Sequence, residues 1–513
     1  MSNTESFASP DELDGPEEAA QAEAEQQQAA QLSAEEIETA LRVLGRVHLL
    51  DEEDPRYIAV RRATGKMFKA VKRYRRVVKR DAVAEADRAV IALTATAAPD
   101  RIDDETRGNK LSSSASGEIA GVLQRPRPCY ICKQPYTQVD AFYHQLCPEC
   151  AAFNHSKRDA RTDLSGKRAL LTGGRAKIGM YIALRLLRDG AHTTITTRFP
   201  NDAARRFAAM EDSAEWLHRL QIVGIDLRDP SQVIALTDSL SAEPLDILIN
   251  NAAQTVRRSP GAYQPLADAE NTPLPAELSE AQGGPRLLTF GHAHDKHPLA
   301  LASSLGEHPV LAADALTSLA LTSQALQSGS ASLEKHLAGT AIDAGGLVPD
   351  LGNINSWTQV VDQVDPLEML EVQLCNVTAP FLLVSRLRPA MRRASARRKY
   401  IVNVSAMEGQ FARAYKGPGH PHTNMAKASL NMMTRTSAGE MLESDGILMT
   451  AVDTGWITDE RPHETKIRLA EEGFHAPLDL VDGAARVYDP IVMGEAGVDL
   501  YGSFLKDYKV SPW

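Results

Sequence analysis

The sequence predicts an α/β protein built on a doubly wound parallel sheet, and three observations carry that prediction. From about Leu164 onward, short apolar runs alternate with amphipathic stretches, the pattern of strands joined by crossover helices. A turn holding Gly173, Gly174 and Gly179 separates the first such strand from the first such helix. Glycine there lets backbone approach a phosphate, and the helix start offers unpaired N–H groups and its dipole. Third, the apolar run "LDILINNAA" ends in polar residues, as do strands whose carboxyl ends face a ligand crevice.

Before that sheet the chain changes character several times. At 513 residues it exceeds the size at which one core stops growing, so two or more units are expected. Residues 1–40 hold eleven acidic residues and no Lys or Arg, which leaves the remainder close to neutral despite a formal charge of −11. Residues 1–32, with "AAQAEAEQQQAAQ", contain too few large apolar side chains to offset their ordering entropy and are expected to be a disordered acidic tail. A basic-then-apolar leader pattern and any run of about 18 uncharged apolar residues are both missing, so a cytoplasmic protein without a membrane span is expected.

Residues 33–96 read as helical: Ser33 caps, Glu36 follows three positions on, and apolar residues recur at helical spacing. Residues 61–80 carry ten basic residues and no acid, with Met67, Phe68, Val71, Val77 and Val78 interleaved. That is a solvated helix face balancing the acidic tail, with an acidic or nucleic-acid partner as the alternative. Residues 97–124 mix Ala, Pro, Asp, Ser and Gly without periodicity and read as a linker.

Within 125–160, Cys129, Cys132, Cys147 and Cys150 form two C-x2-C pairs separated by fourteen residues. Each pair can present two thiolates to a tetrahedral ion, and four sulfur ligands leave no open position. Structural zinc is the expectation; a redox dithiol pair and unligated thiols are the alternatives. The remaining cysteine, Cys375, lies in an apolar stretch and reads as core.

The sheet region, 163–513, then runs in order: strand "RALLTGG", helix "KIGMYIALRLLRDGA", strands "HTTITTR", "LQIVGIDL" and "LDILINNAA". After a long interruption come helix "EMLEVQLCNVTAPFLLVSRL", strand "KYIVNVSA", helix "MAKASLNMMTRTSAGEML", and strands "ILMTAVDTG" and "AGVDLYGSF".

On these residues the region resembles the short-chain dehydrogenase/reductase family, whose fold is the Rossmann type. Thr172, Gly173 and Gly179 fall in register with the family's T-G-x-x-x-G-x-G loop, with Lys177 at the middle glycine and Gly174 and Ile178 within the turn. The resemblance implies a dinucleotide cofactor. Arg198 closes the second strand where relatives that prefer NAD carry an acid, and with Lys177 it suits a ribose 2′-phosphate, favouring NADP over NAD. Asp226, followed by Leu227, matches the acid at the adenine ring, and Asn250, Asn251, Ala252 and Ala253 match the segment lining the cofactor. Asn376 matches the helix asparagine behind a proton relay, Ser405 the serine that orients a substrate carbonyl, and Lys427 the lysine that holds the nicotinamide ribose. Gly455 and Thr458 match the segment after the sixth strand, with Thr454 in the place of its proline.

One member of the constellation is replaced. The family's tyrosine stands four residues before the lysine, and here that position is Thr423. A phenol with a pKa of about 10 can be pulled down by an ammonium, whereas an aliphatic alcohol lies far above such reach. The 21 residues between Ser405 and Lys427 include Tyr415, His420 and His422. Tyr415 or His422, the latter an imidazole titrating at about 6.5, can stand in as the proton donor, or each is an ordinary loop residue. Relative to the family, residues from about 255 to 350 are an insertion on the order of 100 residues, of a kind that carries function or is disordered. In it "PVLAADALTSLALTSQAL" reads as helical, and His292, His294 and His297 are better read as a solvated polar loop than as a metal site.

The expected function is NADP-preferring oxidation or reduction of a carbonyl, alcohol or imine, by a chain that assembles as a homo-oligomer. The alternative is a non-catalytic dinucleotide-binding sensor or scaffold on the same fold.

Overall fold

The computed structural model describes residues 32–99, 101, 111–290, 343–350, 352–413, 415–458 and 460–513. The expected acidic tail up to residue 31, the histidines at 292, 294 and 297 and the expected helix at 309–326 lie outside the described residues. The chain divides into a unit ending at Glu85 and a second from Ala86 to Trp513.

In the first unit, α1 (Ala34–Leu44) opens on the expected capping box. The Glu36 N–H donates to Ser33 Oγ at 3.2 Å, and the Ser33 N–H donates to the Glu36 carboxylate at 2.8 Å. Helix α2 (Pro55–Ala92) contains the basic run 61–80. Its Met67, Phe68, Val71, Tyr74 and Val78 are exposed.

The second unit begins with an antiparallel pair, β1 (Ile119–Pro128) and β2 (Pro135–Asp140), followed by α3 (Pro148–Arg158). The start of β1 at Ile119 corrects the reading of 97–124 as linker throughout. Gly121 and an irregular register between Val122 and Arg127 hide the strand's alternation in sequence. The buried carboxylate of Asp87 accepts the N–H groups of Gln124 (2.7 Å) and Arg125 (3.2 Å) at that irregularity, giving the unpaired amides a partner.

Then follow β3 (Arg168–Leu171), α4 (Lys177–Arg188), β4 (His192–Thr197), α5 (Pro200–Ala208), β5 (Leu220–Gly224), α6 (Pro230–Leu240) and β6 (Ile247–Asn250). The insertion supplies α7 (Gln264–Glu270) and β7 (Arg286–Thr289). The chain resumes with α8 (Pro366–Gln373), a π-helical turn (Leu374–Thr378), α9 (Ala379–Arg393), β8 (Lys399–Ser405), α10 (Pro421–Asp445) and β9 (Ile447–Asp453). It closes with α11 (His463–Glu471), α12 (Leu480–Glu495), β10 (Phe504–Lys506) and β11 (Lys509–Ser511).

The nine-stranded sheet has the order β11-β10-β9-β8-β6-β3-β4-β5-β7. Every neighbouring pair in it is parallel except β10 with β11. Two strands differ from expectation. β7 lies in the insertion, for which the sequence marks no strand, and the strand expected at 496–504 begins only at Phe504, because Gly497 and Gly502 take left-handed backbone (φ +93° and +57°). Strand side chains alternate between two cores: Leu171, Val402 and Val404 pack with Ile182, Phe207, Trp216 and Tyr488, whereas Leu170, Ile401 and Met449 pack with Leu383, Leu387 and Met441. The helical stretch Pro366–Arg393 is long and apolar enough to cross a membrane by length and composition. Its Leu383, Leu387, Ala390 and Met391 are buried against the sheet. The strand order reverses at β3, whose neighbours are β4 and β6, and the crevice there is where such sheets bind ligands.

Candidate functional site

The turn after β3 is shaped by contacts that exclude larger residues. Gly173 has φ +67°, and a Cβ on Gly179 would lie 2.0 Å from the Gly173 carbonyl oxygen. Backbone from the turn and the start of α4 therefore approach as only glycine allows. Lys177 itself has φ +52°, a left-handed conformation that explains why glycine suits this position in the family. The Thr172 hydroxyl accepts the N–H groups of Asn251 (2.9 Å) and Ala252 (3.0 Å), and Asn251 Nδ2 donates to the Thr172 carbonyl at 3.0 Å. Two strand ends are thus tied side by side.

A cavity of about 400 Å³ opens at this point. Of the expected cofactor residues, Gly173, Lys177, Ile178 and Gly179 line it on the turn, Arg198, Asp226 and Leu227 at one end, and Asn251, Ala252 and Thr458 along its length. Thr172, Gly174, Asn250 and Gly455 stand behind the wall as supports. Asn250 Nδ2 donates to Asn403 Oδ1 (2.8 Å), whose own amide donates to Thr434 (2.9 Å), a buried polar chain across the sheet.

Several expected side chains have partners that sequence did not reveal. Lys177 Nζ pairs with Asp343 at 3.0 Å. Arg175 donates to Asp202 (2.5 Å) and to the Gly345 carbonyl (2.7 Å), so the returning end of the insertion lies beside the glycine turn and lines the cavity there. Asp226 receives Arg228 at 2.7 Å, and Arg228 also donates to Glu371 at 2.8 Å. Burial alone would raise the Asp226 carboxyl, and the Arg228 hydrogen bonds and charge outweigh it, holding the group below the usual carboxylate range. The Arg198 guanidinium lies 4.7 Å from the Tyr263 ring centroid, and that ring stacks on Phe199. Arg175, Tyr263, Arg228 and Asp343 line or support the cavity without having been picked out in the sequence; Arg175 stands beside the glycines, but nothing local marks a distant partner.

Of the expected catalytic residues, Ser405 ends β8 and Lys427 reaches it from α10, and none of the six lines the cavity itself. Asn376 sits in the π-helical turn, a distortion frequent at functional positions. Its Oδ1 accepts the Gln254 N–H (2.8 Å) and its Nδ2 donates to the Gln254 carbonyl (2.9 Å), and Gln254 lines the cavity. Ser405 Oγ donates to the Lys427 carbonyl at 3.4 Å, and Lys427 Nζ donates to the Val404 carbonyl at 2.9 Å. Burial lowers the Lys427 pKa from the ordinary lysine value, with Glu408, Cys375 and Asp453 opposing the shift. Thr423 and His422 are buried, and among the described residues the Thr423 hydroxyl and both His422 ring nitrogens lack a hydrogen-bond partner. Tyr415 is 72 % exposed and is not brought into this group. His420, with φ +42°, stacks on Trp357 at 3.9 Å and bonds its carbonyl at 2.9 Å, so it shapes the turn.

Asp453 was missed by sequence reasoning. It pairs in register with Ser405 on the adjacent strand, so both side chains leave the same face of the sheet. Burial raises its carboxyl above the usual range. Its only sequence signal is a polar residue at the end of an apolar strand. The C-terminus closes over the same strand ends: Gln410 Nε2 donates to Ser511 Oγ (3.1 Å) and the Pro512 carbonyl (2.8 Å), and the Ala412 N–H donates to the Trp513 carbonyl (2.8 Å).

The cysteines meet as their spacing predicts. The four thiol sulfurs lie within 4.8 Å of one another, with Cys132 and Cys147 at 3.6 Å. A tetrahedral zinc with Zn–S of about 2.3 Å sets its sulfurs about 3.8 Å apart. Cys129 and Cys132 flank a tight turn in which the Lys133 N–H donates to the Cys129 carbonyl, and Cys147 and Cys150 occupy the start of α3.

Comparison with known proteins bears on the family. The family model described as short chain dehydrogenase matches residues 167–271. A short chain dehydrogenase/reductase of Macrophomina phaseolina, dpmpG, is 31% identical over 130 residues, covering 25% of this chain and 70% of that one. The chain belongs to the short-chain dehydrogenase family. An uncharacterized protein of Acanthamoeba polyphaga mimivirus is 31% identical over 383 residues, 71% of each chain. Among solved structures, NADPH-bound carbonyl reductase from chicken fatty liver is 17% identical with a TM-score of 0.40, covering 68% of this chain and 100% of that one.

Proposed function

We propose that the chain is a nicotinamide-dinucleotide-dependent oxidoreductase of the short-chain type, with NADP preferred and a carbonyl, alcohol or imine as substrate. The observation that carries this reading is the cavity at the reversal of strand order, floored by Gly173, Gly179 and the first turn of α4. The residues present fit a dinucleotide. The turn is built so closely that a Cβ on Gly179 would collide with it, and the helix start adds N–H donors for a pyrophosphate. Arg198, Arg175 and Lys177 place three cations in the cavity lining, which supports NADP.

A bound nicotinamide supplies the hydride. Toward a bound coenzyme and substrate, Ser405 would orient the substrate oxygen through Oγ and Lys427 would hold the ribose and keep positive charge near the developing alkoxide, while Asn376 fixes Gln254 against the cavity. Thr423 is too weak an acid to protonate that alkoxide. Of the two substitutes considered, burial favours His422 over Tyr415, with the proton carried on a ring nitrogen. Burial and His420 depress the His422 pKa from its ordinary value, which pushes turnover toward mildly acidic conditions. The four cysteines hold one structural zinc.

Fluorescence titration of purified protein with NADPH, followed by turnover assays on a carbonyl and imine panel, tests the reading. Saturable binding and turnover are expected, with His422→Asn slowing turnover at least about ten-fold, as loss of a general acid does, and Tyr415→Phe leaving it unchanged. Absence of NADPH binding would overturn the proposal. Binding without any turnover would favour the non-catalytic sensor or scaffold.

A further inference from the structure

We infer that the cysteine module is a clamp on the segment Thr454–Asp479, so that metal in the cluster holds one wall of the coenzyme cavity in place. The inference rests on the zinc and coenzyme readings above and adds a positioning role to a metal expected only to stabilise its own module.

That segment leaves the end of β9, carries Thr458 and Glu460 into the cavity wall, and leads to Leu480, which also lines it. Among the described residues its only regular element is α11. Long connections of this kind drift unless tied down. The ties come from the cysteine module. The Trp456 N–H donates to the hydroxyl of Tyr130 at 3.0 Å, and Tyr130 lies between the ligands Cys129 and Cys132. Near the second pair, the Tyr143 hydroxyl donates to Asp482 at 2.6 Å, and Arg158 on α3 binds Asp479 at 2.6 Å. Arg101, which precedes the module, adds bonds to the carbonyls of Ala476 and Leu478, each at 2.8 Å.

Apolar packing follows the same route. Cys129, Cys147, Tyr136 and Tyr143 share one buried cluster with Ile457 and Leu478. Ile178, in the phosphate turn, and Leu480 pack against that cluster. The module is too small to order itself by burial alone. Without metal, the loops carrying Tyr130 and Tyr143 lose their anchor, and Thr454–Asp479 loses the ties those loops supply.

The test uses the full chain in three forms: wild type, Cys132→Ser/Cys150→Ser, and Tyr130→Phe. Zinc content is measured by elemental analysis, backbone amide exchange by mass spectrometry, and NADPH affinity by titration. Wild type is expected to hold one zinc. In the double variant, peptides from 454–479 should exchange at least about ten-fold faster while peptides from β6 and β8 keep their protection, the pattern of local opening. NADPH affinity should fall in parallel. Tyr130→Phe should keep its zinc yet exchange about five-fold faster at Trp456, the scale of one lost hydrogen bond.

A zinc-free double variant with wild-type exchange over 454–479 overturns the clamp. If that variant unfolds throughout, Tyr130→Phe decides: zinc retained with unchanged exchange at Trp456 also overturns it. Amide exchange needs no coenzyme, so failure of the coenzyme reading appears separately, as wild type that does not bind NADPH. A wild type without zinc defeats the metal reading and the clamp together.

Discussion

Substituting Gly179 with alanine tests the proposed coenzyme cradle at its tightest point. The added Cβ would lie 2.0 Å from the Gly173 carbonyl oxygen and 2.8 Å from Asn251 Nδ2, where ordinary contact begins at 3.4 Å. The turn and helix must therefore separate by 3.4 − 2.0, or 1.4 Å, along the Gly173 contact. The opposing atom is backbone, so no side chain can swing away. Overpacking of this sort costs about 1–3 kcal/mol of stability. The same shift withdraws the N–H groups of the first helical turn from a pyrophosphate, and we expect NADPH affinity to fall about 100-fold, or ~3 kcal/mol. Gly439→Ala is the control: it sits within α10 with nothing within 4 Å of its added Cβ. It should stabilise the chain by about 0.5–1 kcal/mol through helix propensity and leave affinity alone. Thermal melts and NADPH titrations of both variants provide the comparison. A folded Gly179→Ala protein that binds NADPH as wild type does would refute the assignment of this turn as the cradle.

Two further substitutions probe the site's charges and strain. Lys177→Gly relieves a left-handed lysine, a gain of roughly 1 kcal/mol, and loses a partly exposed ion pair with Asp343 worth roughly 0–1 kcal/mol. Its melting temperature should hold or rise slightly, while NADPH affinity falls more than NADH affinity; equal losses for both coenzymes would argue against a 2′-phosphate role. Asp453 has a carboxyl pKa raised by burial. Its contribution to stability is therefore fully present below the unfolded pKa of about 3.9 and is lost as pH rises through the folded value, so at pH 7 the buried charge is a cost. Asp453→Asn should melt higher than wild type at neutral pH, with the difference shrinking in acid; an equal difference at both pH values would mean that burial of charge is not the cause.

What the sequence determined by itself was local or periodic. Alternating apolar runs placed β3 through β6 and β8 and β9, the glycine turn placed the start of α4, and cysteine spacing marked the cluster, because each follows from backbone geometry or ligand count within a few residues. Tertiary structure decided what depends on partners far apart in the chain. It paired Lys177 with Asp343 and Arg228 with Glu371, set Asp453 beside Ser405, left Tyr415 in solvent, and joined the cysteine module to the segment after β9. β1 and β7 belong to the same class, since an irregular or edge strand is defined by the neighbour it pairs with rather than by its own alternation. The site's electrostatics followed suit: burial sets the proton affinities of Lys427 and Asp453, and burial exists only once the chain has closed around them.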